Sequence, residues 1–156
     1  MGSVLRSVSG VRWGELRDAT GAAAGGIPSL LSRIAYGDED MARIAIDDLG
    51  DAICALGFVV GEATAPTVPF LLELVGSPHV ACGAELLDLL GDIYRTDQWH
   101  TAAAATRDRK HDASYQQQTG WETAARTAVY AAGQSSRGSP PPYGRRRRPL
   151  LGSCCR

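Results

Sequence analysis

The sequence predicts an all-α fold, a short α-solenoid of stacked antiparallel helix pairs. Three observations carry that expectation. Offset by 41 residues, residues 27–53 align without a gap to residues 68–94. Apolar residues within each copy recur at helical spacing. Neither copy alternates apolar and polar residues over a convincing strand length. A helix-pair unit of this period buries its apolar stripe only against its neighbours, so the units must stack.

Before the first copy, Trp13, Leu16 and Ala19 have the spacing of a short amphipathic helix that covers the N-terminal edge. The two copies read IPSLLSRIAYGDEDMARIAIDDLGDAI and VPFLLELVGSPHVACGAELLDLLGDIY. They are identical at Pro28/Pro69, Leu30/Leu71, Leu31/Leu72, Asp47/Asp88, Leu49/Leu90, Gly50/Gly91 and Asp51/Asp92. The first helix of each copy places Ile27, Leu30, Leu31 and Ile34, or Val68, Leu71, Leu72 and Val75, on one face. Pro28 and Pro69 suit a first turn, where a missing N–H costs nothing.

Asp38-Glu39-Asp40 is an N-terminal signal for the second helix, because carboxylates cap the free amides and favour the helix dipole. Its expected stripe is Met41, Ile44, Ala45, Leu49, Ala52, Ile53 and Leu56; in the second copy it is Leu86, Leu89, Leu90 and Ile93. The loop between copies, residues 57–67, carries the apolar trio Phe58-Val59-Val60, which should pack under the next repeat. After the second copy a polar insert leads to residues 121–132, WETAARTAVYAA. Their weak stripe of Trp121, Ala125, Ala128 and Val129 reads as the first helix of a partial third repeat.

Charge divides the chain in the same way. Residues 1–94 hold five Arg against thirteen Asp/Glu, whereas residues 95–156 hold eleven Lys/Arg against four Asp/Glu. Of 32 Leu, Ile, Val and Phe, 29 lie before residue 95, so the second part cannot build a core of its own. The expected organisation is therefore two hairpins with a lead-in helix over 12–94, the insert and partial repeat over 95–132, and a disordered Arg/Pro-rich tail over 133–156. That tail, GQSSRGSPPPYGRRRRPLLGSCCR, has the vocabulary of a GC-rich gene translated out of frame, which points to a truncated protein. Sequencing the locus tests this: an intact frame, with no further helical repeats encoded in either shifted frame, overturns it.

No apolar run near Met1 resembles a secretory signal, and no stretch is apolar enough to span a membrane. Cys54 and Cys82 sit in apolar patterns and read as small buried hydrophobes, while Cys154 and Cys155 are adjacent in the tail. The expected compartment is the cytoplasm.

The 41-residue period with an early proline resembles HEAT repeats, the armadillo-type superhelical family. The run Ala63-Thr64-Ala65-Pro66-Thr67-Val68-Pro69-Phe70-Leu71-Leu72-Glu73-Leu74 is similar to a signature of actinobacterial HEAT-repeat proteins, as is the Trp-x-x-Leu segment from Trp13 leading to Ile27-Pro28. The resemblance covers residues 12–94 well and 95–132 loosely. Where relatives carry a polar His-Gln pair before the inter-repeat glycine, this chain has Ala55-Leu56-Gly57. The resemblance implies a solenoid that binds protein, and it implies no reaction.

Candidate chemistry is sparse. His79 falls at a turn, and His100 and His111 lack the companions that a zinc site needs. No base is positioned by sequence beside Cys82 or Cys154, no glycine loop has a phosphate-binding context, and no cofactor is expected. Asp47/Asp51 and Asp88/Asp92 are i, i+4 pairs, each presenting two carboxylates on one helix face. Stacking would bring the pairs into neighbouring rows, an acidic ridge for a basic protein partner or simply a solvated face. Asp48, whose counterpart is Leu89, is expected at the margin of the stripe. Arg145–Arg148 would bind phosphate only non-specifically, and the acidic helical part argues against a duplex. The expectation is a non-enzymatic interaction module or scaffold. Competing with it are a HEAT-fold enzyme, a repair-type DNA-binding protein and a non-functional fragment. With only two full repeats, association of copies through the exposed end of the solenoid is a further expectation.

Overall fold

The computed structural model describes residues 5–104 and 113–135. Among them are five α-helices: α1 (Ile27–Tyr36), α2 (Glu39–Ile53), α3 (Thr64–Val75), α4 (Gly83–Ala104) and α5 (Ala113–Ser135). Two strands, β1 (Cys54–Ala55) and β2 (Val59–Val60), form an antiparallel hairpin between α2 and α3. The protein is mostly helical. α1 packs chiefly on α2, whereas α3 packs on α1, α4 and α5.

The first pair forms largely as its residues dictate. Pro28 lies in the first turn of α1, and Ile27, Leu31 and Ile34 are buried. Asp38 caps α2, its side chain accepting from the Met41 N–H at 2.8 Å. The buried face of α2, however, is Ala42, Ala45, Ile46, Leu49 and Ile53. Met41 and Ile44 are exposed, which corrects the stripe expected from side-chain size. Ala42 and Ala45 share that face with three large aliphatic side chains.

α2 ends where the hairpin begins. Thr64 bridges the two elements: its hydroxyl donates to the Ile53 carbonyl at 2.6 Å and accepts from the Gly61 N–H at 2.9 Å. Of the loop trio, Val60 is buried and Phe58 and Val59 are half-buried. Gly61 is fixed by crowding, since a Cβ there would overlap the Asp18 carbonyl. Leu56 lies beyond the helix, not on its stripe. It occupies the left-handed region (φ 57°) and is 80% exposed.

α3 starts at Thr64, five residues upstream of Pro69, so Pro69 lies inside the helix and not in its first turn. The missing N–H falls on the solvent side, where Pro69 is exposed. Trp13 does not head an α-helix. It opens a 3-10 turn (Trp13–Glu15), after which the chain runs extended through Leu16. Asp18 explains the break: its Oδ1 accepts from the Thr20 N–H, the Thr20 hydroxyl and the Ala22 N–H, closing a tight loop around Gly21. Trp13 still covers the core, with its indole N–H donating to the Val8 carbonyl at 2.8 Å and its ring 5.9 Å from that of Phe70.

The polar insert is also largely helical. α4 continues unbroken to Ala104, and α5 begins at Ala113, eight residues before Trp121. α5 buries Ala125 and Glu122, with Trp121, Ala128 and Val129 half-buried on the core. It is fastened to the hairpin by Gln118, whose Nε2 donates to the Val60 carbonyl at 3.0 Å. α5 runs through Ser135, so residues 133–135 of the expected disordered tail are helical; residues 136–156, with Arg145–Arg148, Cys154 and Cys155, lie outside the described residues, as do His111 and the side chain of His100.

Candidate acidic groove between the second helices

α2 and α4 lie side by side, and the repeat places equivalent residues on their facing flanks. Asp47 and Asp51 come from α2, and Asp88 and Asp92 from α4. All four line one open groove of about 500 Å³. Ile46, Leu89 and Cys54 give it an apolar floor, and Leu56 and Gly57 of the hairpin turn form one end. Glu85 is a fifth carboxylate in the same wall. It stands three residues before Asp88 and seven before Asp92, so a helical wheel of α4 would have found it. Leu56 had no such signal, because its place depends on the hairpin.

The charges in this groove are only partly compensated. Arg95 Nη2 lies 2.8 Å from Asp92 Oδ1. Arg43 Nε lies 3.8 Å from Glu85 Oε1 but is held chiefly by Glu39, at 2.8 Å. That hydrogen bond, with the charge of Glu39, raises the Arg43 pKa. Asp47, Asp51 and Asp88 form no salt bridge among the described residues. Asp48 points elsewhere, 3.9 Å from Arg33 Nη1 of α1, in an exposed pair outside the groove.

The Cys54 thiol on the groove floor is pushed up to about 12, first by burial and then by the charge of Asp92. It is protonated at neutral pH and a poor nucleophile. Cys82 is also buried and free, its Sγ 3.8 Å from the Glu39 carbonyl; burial and Glu85 raise its pKa. Both thiols are therefore buried hydrophobes, but neither sits within a helix: Cys54 begins β1, and Cys82 precedes α4. His79 is exposed in the turn between α3 and α4. Among the described residues, no three His, Cys, Asp or Glu side chains converge closely enough to hold a metal ion. No helix among them is long and apolar enough to cross a membrane.

Smaller clefts lie between α4 and α5. Tyr94 and Tyr130 wall them, and the Arg126 guanidinium sits 5.6 Å from the Tyr94 ring centroid. No family model, curated protein or solved structure matches this chain.

Proposed function

We propose that the chain is a non-enzymatic, HEAT-like interaction module whose α2–α4 groove receives a basic segment of a partner protein in the cytoplasm. In this reading α1–α2 and α3–α4 are stacked helix pairs, and α5 opens a third. Packing of α1 on α3 and of α2 on α4 supports the stacked arrangement. One observation carries the partner's chemistry: carboxylates from two helices border one apolar-floored groove, and three of them have no ion-pair partner among the described residues. A cationic side chain there gains attraction from several carboxylates at once, while an adjacent apolar side chain packs on the exposed Leu56 at the end of the groove. The same carboxylates repel nucleic acid.

The test is titration of an arginine- and leucine-rich helical peptide onto the chain and onto the Asp47→Lys/Asp88→Lys double variant. Two charge reversals should weaken binding by about tenfold or more, with the wild-type affinity falling as salt rises. Equal affinity for the two proteins would sink the acidic groove as the contact surface.

A further inference from the structure

We draw no further inference here: the strongest candidate, the cleft between α4 and α5 walled by Tyr94 and Tyr130 with Arg126 against the Tyr94 ring, is an unpartnered face, and nothing in the structure shows what covers it.

Discussion

Leu30 and Leu71 occupy the same position in two copies of one repeat, yet Leu30 is half-buried and Leu71 is fully buried. Their neighbours reverse the order, with Leu31 buried and Leu72 half-buried. The second helices differ in the same way. Ile46 is 6% exposed and its counterpart Leu87 is 55% exposed, whereas Asp48 is exposed and its counterpart Leu89 is buried. Each helix of the second copy is thus turned about its axis relative to the first. The cause is the neighbours: α1 has chiefly α2 to pack on, while α3 is surrounded by α1, α4 and α5. A repeat therefore transmits an apolar helix face but not its angle, which is set by what lies beside it.

The comparison is most sharply tested by truncating the four leucines. Leu71→Ala and Leu31→Ala should each cost about 2–5 kcal/mol, and Leu30→Ala and Leu72→Ala clearly less, in urea unfolding followed by circular dichroism. Equal losses within either copy would remove the rotation.

Cys54 offers a second contrast. One position past the aligned copies, at the same offset, stands Arg95 of α4, which continues where α2 stops. The folded-state thiol titrates at about 12 against an ordinary 9.0, so the native state keeps a proton that the unfolded chain gives up. This contribution is complete below pH 9.0 and is lost as pH rises toward about 12. Cys54→Ala should flatten the decline in stability between pH 9.0 and about pH 12 relative to the unmodified chain. Parallel declines in the two proteins would remove this role.

The hairpin that ends α2 bears its own cost. Leu56 holds a left-handed conformation that disfavours a leucine, and its side chain is nearly free of the fold. Leu56→Asn should raise stability by about 1 kcal/mol, since asparagine tolerates that region. A lowered melting temperature would mean that Leu56 packs after all.

The smallest expected effect separates Gly50 from Gly91. Alanine at 50 places its Cβ 3.8 Å from the Leu89 Cδ1, an ordinary contact, and gains up to about 1 kcal/mol of helix propensity. Alanine at 91 meets the Arg95 guanidinium at 3.4 Å and disturbs its pairing with Asp92, so the gain there should be smaller. Thermal melts of both variants should rank them in that order.

Helical character, the cores of α1 and α4, and the cap at Asp38 were legible from the residues, because each follows from spacing or local hydrogen bonding within a few positions. The sequence also placed Asp47, Asp51, Asp88 and Asp92 at equivalent positions, so that their meeting on α2 and α4 needed only the two helices to lie side by side. Tertiary structure alone decided the rest. Whether Pro69 opened a helix or lay inside one depended on Thr64, which joins α3 to the end of α2. Whether residues beyond Tyr94 formed a polar insert or two long helices depended on α3 and α4 offering α5 a surface. Local spacing fixes which residues share a helix face. Only packing against elements distant in the chain fixes where the helix begins and which way that face turns.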